Sequence, residues 1–149
     1  VPRETLPWQR VHGDYHLGQT LQTNDMPRII DFEGEPSRSL NERRTKNSPL
    51  FDLAGMLRSF DYAAEHSIRS TGCHPERARA WSEDVCKSFL SGYDFLALGE
   101  AHSSSQGELK RQLQIYCLEK SLYEIIYEAE HRPDWLLVPI SGALRLLEE

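Results

Sequence analysis

Two short stretches carry most of the information in this chain: "VHGDYHLGQ" at residues 11–19 and "RIIDFEGEP" at residues 28–36. The first contains a close succession of polar side chains, namely His12, Asp14, His16 and Gln19. The second ends an apolar run with Asp31 and Glu33. Polar groups on short strands cost stability unless they find partners. So many of them in two short segments therefore indicate a site for chemistry.

The spacing of these residues is typical of phosphoryl transfer. Four residues separate Asp14 from Gln19, as in a kinase catalytic loop, with Gln in the place of Asn. Asp31 then opens "DFE", where a protein kinase carries Asp-Phe-Gly. A carboxylate can orient the attacking hydroxyl and accept its proton, while carboxylate and amide oxygens suit Mg²⁺. Two antiparallel strands joined by a turn would bring Gln19 and Asp31 together.

Each residue also has an ordinary interpretation. Asp14 suits a turn, Asp31 can cap a strand, and Gln19 alone carries no signal. His12 and His16 stand four positions apart, as zinc ligands do on a helix, but this stretch is predicted to be strand and loop. The ordered combination therefore favours a kinase over a zinc hydrolase.

Composition limits the class of protein. The 149 residues suit one domain, or one lobe of a larger protein. A net charge of -6 without a basic stripe argues against a nucleic-acid partner. Three cysteines without a CxxC pair favour reduced thiols and a cytoplasmic location. No apolar run approaches the roughly 18 residues of a membrane span, and no signal peptide is recognisable.

The predicted order is a β unit followed by helices, so the fold class is mostly α with a small β unit. Residues 9–33 are predicted to hold strands at "QRVH", "QTLQT" and "RIIDF", with a turn at "NDMP". Residues 34–48 are polar and are predicted to form a loop. Residues 49–149 are predicted to form a single helical body.

Four helices are predicted in that body. The first has Ser48 as N-cap and Pro49 at its first position, with an apolar stripe of Leu50, Leu53, Ala54, Leu57, Phe60 and Ala64. The second covers about 76–98, with an apolar face of Ala80, Trp81, Val85, Phe89 and Tyr93. The third covers about 108–131, with inward residues Leu109, Leu113, Tyr116, Cys117, Ile126 and Tyr127. The last covers about 140–148.

Together, "HGDYHLGQ", "IIDFEGEP" and "SPLFDLAGMLRSFDYAA" resemble the C-terminal lobe of maltokinases, which share the aminoglycoside-phosphotransferase-like kinase fold. The "ERR" loop and the terminal "RPDWLLVPISGALRLLEE" extend the resemblance, whereas residues 66–107 are not distinctive. The resemblance implies an enzyme that uses Mg²⁺ and ATP to phosphorylate the anomeric hydroxyl of maltose, giving maltose 1-phosphate and ADP. Some maltokinases are fused to a trehalose synthase, so such a domain is an expected partner.

Residue by residue, the resemblance implies that Asp14 is the catalytic carboxylate and that Gln19 and Asp31 are Mg²⁺ ligands. Glu33 follows the metal-binding Asp and is expected to touch the metal or its water. Two interpretations of Asp52 stay open. It either accepts hydrogen bonds from the catalytic-loop backbone, or it simply favours the dipole of the helix that it begins.

The sugar is expected to contact an aromatic and charged set near the end of the third helix, together with the residue that opens the catalytic loop. These candidates are His12, Tyr127, Glu130, Arg132 and Trp135. The alternative is that Trp135 packs in the core and that Glu130 and Arg132 are solvated. Arg43 and Arg44 either meet phosphate or substrate, or form a solvated charge run.

A complete kinase of this type needs an N-terminal lobe with a phosphate-cradling loop and a Lys–Glu pair. Neither GxGxxG nor GxxxxGK occurs, and only ten residues precede Val11. The chain is therefore expected to lack the ATP-binding lobe and to be inactive alone. Two alternatives stay open: a non-catalytic carbohydrate-binding or assembly domain of a trehalose synthase, and a kinase for another hydroxyl compound such as an aminoglycoside or choline.

Overall fold

The computed structural model describes residues 6–93 and 106–148. This part contains two antiparallel strands, β1 (Thr20–Leu21) and β2 (Arg28–Ile29). Its helices are α1 (Leu40–Arg44), α2 (Leu50–Thr71), α3 (Pro75–Gly92), α4 (Gln106–His131) and α5 (Leu137–Glu148). Short 3-10 turns lie at Leu17–Gln19 and Pro133–Trp135. The prediction of a mostly α fold with a small β unit is confirmed.

The β unit is shorter than the sequence predicts. Thr20 pairs with Ile29 in the hairpin, and Ile30 N–H donates to the Gln19 carbonyl at 3.0 Å. The predicted strand at "QRVH" is wrong, because Gln9 forms an isolated bridge with Asn47 and the chain does not continue as a ladder. This bridge ties the residues just before the catalytic-loop segment, the name used here for residues 11–19 after their predicted role, to the segment before α2.

The prediction that residues 34–48 form only a loop is also wrong, because this segment contains α1. Ser39 Oγ accepts the Glu42 N–H, and the Glu42 carboxylate accepts the Ser39 N–H. This reciprocal pair satisfies two backbone donors at the helix start. The Ser-x-x-Glu spacing was therefore the signal for a short helix.

The core lies where α2 packs against α3 and α4, and α4 in turn packs against α5. Its central cluster consists of Leu6, Leu50, Leu53, Ala54, Leu109, Leu113 and Cys117. The predicted α2 stripe is confirmed, with Leu57 packed against the cluster. The helix begins at Leu50, so its N-cap is Pro49 and the prediction of Ser48 as N-cap with Pro49 at the first position is wrong by one residue. Ser48 Oγ still accepts the Leu50 N–H at 3.3 Å.

The predicted faces of two other helices need correction. In α3 the buried residues are Ala78 and Ser82, whose small side chains permit close packing. The predicted inward residues Ala80, Trp81 and Tyr93 are exposed, as are Ile126 and Tyr127 of α4. The C-terminal half of α4 instead buries the polar residues Ser121 and Glu128, which a hydrophobic pattern cannot reveal.

Two helix ends also differ from the prediction. The helix predicted to reach Leu98 ends at Gly92, and Leu98 lies outside the described residues. The last helix begins at Leu137 instead of residue 140. Pro139 fits its first turn, because the first backbone N–H groups of a helix have no intrahelical acceptor.

Candidate active site

The backbone of the catalytic-loop segment is held by Asp52 at the start of α2. The Asp52 carboxylate accepts the N–H of His12 at 2.6 Å and that of Gly13 at 2.9 Å. Burial raises the pKa of the Asp52 carboxyl, and the hydrogen bonds from the loop act in the opposite direction. This geometry agrees with the first interpretation of Asp52, in which it braces the loop by accepting hydrogen bonds from the loop backbone. Gly13 adopts a φ of 85°, and a Cβ there would lie 3.2 Å from Gly34 Cα.

His12 lies inside the loop rather than in a substrate cleft. Its Nε2 donates to the Ile30 carbonyl at 2.7 Å, and its Nδ1 accepts the Asp14 N–H at 3.3 Å. The ring is buried and lies 4.8 Å from the ring of Phe32. Both ring nitrogens are thus engaged by backbone, so the expectation that His12 holds sugar is corrected. His12 joins the catalytic loop to β2.

Asp14 lies at the edge of a cleft, between two groups that favour its ionised form. His16 Nε2 is 3.7 Å from Oδ2, and Lys120 Nζ is 4.0 Å from Oδ1. The neighbouring His16 ring lowers the pKa of the Asp14 carboxyl, burial opposes this, and Lys120 lowers it further. The net result is a pKa below the ordinary value. Asp14 is therefore an ionised acceptor at neutral pH.

Gln19 and Asp31 meet across the hairpin, as the sequence predicts. Gln19 Nε2 donates to Asp31 Oδ2 at 3.1 Å. Asp31 adopts a φ of 61°, a left-handed conformation that Asp tolerates better than most residues. In this contact the amide nitrogen of Gln19 faces Asp31; the donor atoms that the pair offers a metal are the Gln19 amide oxygen and the Asp31 carboxylate, which suit a hard cation such as Mg²⁺. The donor set therefore fits the expected metal, while Glu33 is exposed beside it.

Zinc has no comparable site in residues 6–93 and 106–148. No group of three His, Cys, Asp or Glu side chains in those residues could hold a metal ion. His12 and His16 do not act as a pair, since His12 contacts Ile30 and His16 faces Asp14. The zinc-hydrolase interpretation is therefore without support in the described part of the chain.

A cleft of about 720 Å³ opens beside Asp14, between α2, α4 and the two segments at residues 14–17 and 35–37. Its walls combine carboxylates, cations and tyrosines on closely spaced positions. The acidic members are Asp14, Glu35, Glu124 and Glu128. The basic and aromatic members include Lys120, Arg132, Tyr62, Tyr123 and Tyr127. Such a lining can hydrogen-bond a polyhydroxylated ligand and place ring faces against its carbon skeleton.

Glu128 has an unusual position in this wall. Its Oε1 accepts the Tyr62 hydroxyl at 2.7 Å and an Arg132 N–H at 2.5 Å. Its Oε2 is buried and has no hydrogen-bond partner in the described residues. Burial, followed by the bond to Glu128, raises the pKa of Tyr62, which therefore stays a hydroxyl donor. A buried carboxylate oxygen without a donor is costly, so it is a natural contact for a ligand N–H or O–H.

The sugar candidates from the sequence are not brought together as one set. Tyr127 and Arg132 line the cleft, whereas Glu130 is exposed and Trp135 lies behind the wall. The Trp135 ring stacks on Tyr62, with 5.8 Å between ring centroids. Trp135 therefore supports the cleft, and Glu130 has no place in its lining.

The two arginines of α1 are likewise placed away from this lining. Arg43 donates from Nε to the Arg38 carbonyl at 2.9 Å, which holds its side chain against its own loop. Arg44 is exposed. Neither arginine lines the cleft. Arg44 is solvated, and Arg43 holds its own loop together.

Several cleft residues were missed by sequence reasoning: His16, Glu35, Tyr62, Lys120, Tyr123, Glu124 and Glu128. The available signal was the repeated Tyr-Glu pair four residues apart in "YEIIYE", residues 123–128. Residues at this spacing lie on one face of a helix. The same face of α4 therefore presents Tyr123, Glu124, Tyr127 and Glu128 to the cleft, where an apolar stripe had been predicted.

Comparisons with known proteins point to sugar kinases. A glucosamine kinase of Streptacidiphilus jiangxiensis is 31% identical over 141 residues, covering 93% of this chain and 32% of that protein. A glucosamine kinase of Mycolicibacterium smegmatis (strain ATCC 700084 / mc(2)155) is 29% identical over 144 residues, covering 97% of this chain and 36% of that protein. The chain thus spans about a third of the length of these relatives. No protein-family model matches it.

Solved structures agree with this result. A glucosamine kinase in complex with glucosamine, ADP and inorganic phosphate superposes with a TM-score of 0.81 at 29% identity, over 95% of this chain and 34% of that one. Crystal form B of glucosamine kinase gives a TM-score of 0.82 at 29% identity, with 95% and 34% coverage. These relatives are sugar kinases by name and are not maltokinases.

Among the helices described, none has the length and apolarity to cross a bilayer.

Proposed function

We propose that this chain is the catalytic C-terminal lobe of an ATP-dependent sugar kinase. The observation that carries the proposal is the place of Asp14 at the edge of a polar cleft, on a loop that Asp52 holds and that leads directly into the hairpin where Gln19 contacts Asp31. The relatives support it, since they are named glucosamine kinases and one of their structures contains ADP. The ATP-binding lobe and any trehalose synthase domain would lie outside these residues.

In this proposal Asp14 acts on the sugar hydroxyl. Its ionised carboxylate orients the hydroxyl and takes its proton while the oxygen bonds to the γ-phosphorus of ATP and the bond to the ADP oxygen breaks. Gln19 and Asp31 would hold Mg²⁺, which neutralises phosphate charge when bound. Asp52 keeps the loop in place through its contacts with His12 and Gly13. Phosphoryl transfer depends chiefly on such positioning.

An amino sugar is the substrate class that the cleft favours. Its acidic wall includes the unpartnered Glu128 Oε2 and the Glu124 carboxylate. A sugar ammonium group would supply N–H donors and a positive charge, both of which stabilise buried carboxylate oxygens. The relatives described above are glucosamine kinases, which supports the same sugar.

Maltose phosphorylated at its anomeric hydroxyl is the second candidate. The resemblance of the catalytic-loop and α2 segments to maltokinases favours it, and the cleft of about 720 Å³ has tyrosine faces suited to sugar rings. The two candidates differ in charge, so they make different demands on the acidic wall. Replacing Glu128 with Gln should weaken glucosamine binding far more than maltose binding.

The test is ADP release by the complete protein that carries this chain, with Mg-ATP and separate trials of glucosamine, N-acetylglucosamine, glucose, maltose, choline and an aminoglycoside. We expect glucosamine to give the highest kcat/KM. N-acetylglucosamine should be poor, because acetylation removes the positive charge. Highest activity with maltose would select the second candidate, and activity with choline or the aminoglycoside alone would reject a sugar substrate.

Variants assign the reaction to the proposed site. Asp14→Asn should lower kcat by about 10²–10⁴-fold. Asp31→Asn should raise the Mg²⁺ concentration needed for half-maximal rate, while Asn still tolerates the left-handed backbone. Asp25→Asn in the exposed hairpin turn is the matched control and should leave the rate unchanged. Sugar-dependent ADP release that is equal in all four proteins would show that this lobe is a non-catalytic appendage.

A further inference from the structure

His16 and Gly18 belong to the catalytic-loop segment but have no role in the mechanism above. His16 Nδ1 accepts the Gly18 N–H at 3.0 Å. A ring nitrogen that accepts a hydrogen bond carries no proton, so in the neutral ring the proton lies on Nε2. That Nε2 lies 3.7 Å from Asp14 Oδ2. One backbone contact thus selects the tautomer that presents a donor to the proposed catalytic carboxylate.

Gly18 makes this ring position available. A Cβ at Gly18 would lie 2.7 Å from His16 Cε1 and 2.9 Å from Nδ1, closer than real Cβ contacts allow. Any residue other than glycine would therefore push the imidazole away from the loop. The ring also lines the cleft beside Asp14, so its displacement would be felt at the site where the substrate hydroxyl must lie.

We propose that His16 is a positioning residue for Asp14, and that Gly18 holds its imidazole in place. Its Nε2–H donates to Oδ2, which fixes the carboxylate plane and leaves Oδ1 for the sugar hydroxyl. This role rests on the proposed sugar-kinase function. The separation of 3.7 Å is long for a hydrogen bond, but catalytic contacts commonly shorten when substrate closes the site. The lowered pKa of Asp14, with His16 as its first cause, agrees with the contact.

Steady-state kinetics of the complete protein provide the first test. His16→Phe keeps a ring but removes the donor, and should lower kcat about tenfold with the sugar KM within about twofold. His16→Gln restores an N–H donor and should recover most of that loss. His74→Phe, a control on an exposed histidine at the start of α3, should behave as wild type. Equal losses in His16→Phe and His16→Gln would contradict the proposal.

A double-mutant cycle tests the role of Gly18. Gly18→Ala alone should lower kcat about as much as His16→Ala, because both remove the ring from Asp14. In the His16→Ala background, Gly18→Ala should lower kcat no further, since no ring remains to be displaced. Independent, additive losses would mean that Gly18→Ala acts on the neighbouring Gln19, and would overturn its assigned role. Gly107→Ala, where a Cβ meets nothing within 4 Å, is the control.

A readout without catalysis separates this inference from the proposed function. Nitrogen-15 NMR of the histidine-labelled complete protein, recorded on the neutral form of the His16 ring, should show an unprotonated Nδ1 and a protonated Nε2. Asp14→Asn should shift the Nε2 signal, and Gly18→Ala should abolish the single tautomer. If no sugar drives ADP release, the proposed function fails, whereas the NMR result still decides the contact. A protonated Nδ1, or a His16 spectrum unaffected by Asp14→Asn, would overturn it.

Discussion

Asp52 accepts the backbone N–H of His12 at 2.6 Å across 40 positions of sequence. The same carboxylate accepts the Gly13 N–H at 2.9 Å, so one side chain fixes two consecutive peptide groups just before Asp14. The start of α2 therefore decides where the catalytic-loop segment lies. This link joins the helical core to the residue that we propose as the catalytic carboxylate, Asp14.

Asp52→Asn should destabilise the fold and disturb the loop. An asparagine side chain has one oxygen, so it can accept from only one of the backbone N–H groups of His12 and Gly13. Its own amide N–H would face the other N–H. Loss of a bond to a charged acceptor, with a buried donor left unsatisfied, costs about 1–3 kcal/mol. Urea unfolding monitored by circular dichroism should show this loss against Asp25→Asn, an exposed carboxylate in the hairpin turn. An unfolding midpoint equal to that of the control would refute the bracing interpretation.

Gly55 of α2 is required for close approach of the catalytic loop. A Cβ at this position would lie 2.6 Å from the Tyr15 carbonyl oxygen, which is backbone and cannot swing aside. Gly55→Ala should therefore cost about 1–3 kcal/mol, as overpacking commonly does, and should lower kcat as the loop shifts.

The control for Gly55→Ala is Gly107→Ala in α4, where nothing lies within 4 Å of the added Cβ. Because Ala favours helix over Gly by about 0.5–1 kcal/mol, this control should keep or raise stability. Thermal unfolding and the rate of ADP release measured side by side separate the two sites. Equal behaviour of the two variants would show that the loop has room at Gly55.

Arg58 is a buried cation that connects α2 to the cleft wall. It donates to Asp61 at 2.6 Å and to Glu124 at 2.8 Å, and Glu124 lines the cleft. Arg58→Met would leave Glu124 without this cation, whereas Asp61 keeps its pair with Arg145 at 2.6 Å, so we expect a loss of about 3 kcal/mol in the free energy of unfolding, the low end for a broken buried pair. Sugar KM should rise as well, because Glu124 loses the group that orients it.

An exposed ion pair provides the comparison for Arg58. Arg111 contacts Glu108 at 3.4 Å on the surface of α4, and pairs of this kind contribute about 0–1 kcal/mol. Arg111→Met should therefore leave unfolding and sugar KM almost unchanged. A loss in Arg58→Met no larger than in Arg111→Met would mean that solvent replaces the buried pairs.

Cys86 should react slowly with thiol reagents near neutral pH. Burial raises the pKa of its thiol to about 11. Because the thiolate is the reactive form, a thiol with a pKa of about 11 holds roughly a hundredfold less thiolate at pH 8 than one with a pKa of 9.0. Mass spectrometry of the protein labelled with iodoacetamide at pH 8 should find Cys86 unmodified, and raising the pH toward 11 should speed its labelling. Rapid modification at pH 8 would contradict the assigned burial.

Sequence signals predicted correctly those features that depend only on residues close together in the chain. The turn between β1 and β2 brings Gln19 to Asp31, because hairpin strands pair at short separation. Leu50, Leu53 and Ala54 are buried at helical spacing, as hydrophobic periodicity predicts. By contrast, the Ser39–Glu42 capping box was visible in the sequence but was overlooked beside the polar composition of its surroundings.

The sequence by itself determined the order of a β unit before helices, the hairpin and the spacing from Asp14 to Gln19, since these depend on neighbouring residues. Only the tertiary structure decided that Asp52 holds the loop and that His12 turns inward. It also decided that Glu128, rather than Glu130, lies in the cleft wall. The physical reason is that α4 buries a polar face against α2, and the partners that satisfy it lie about 66 residues away along the chain.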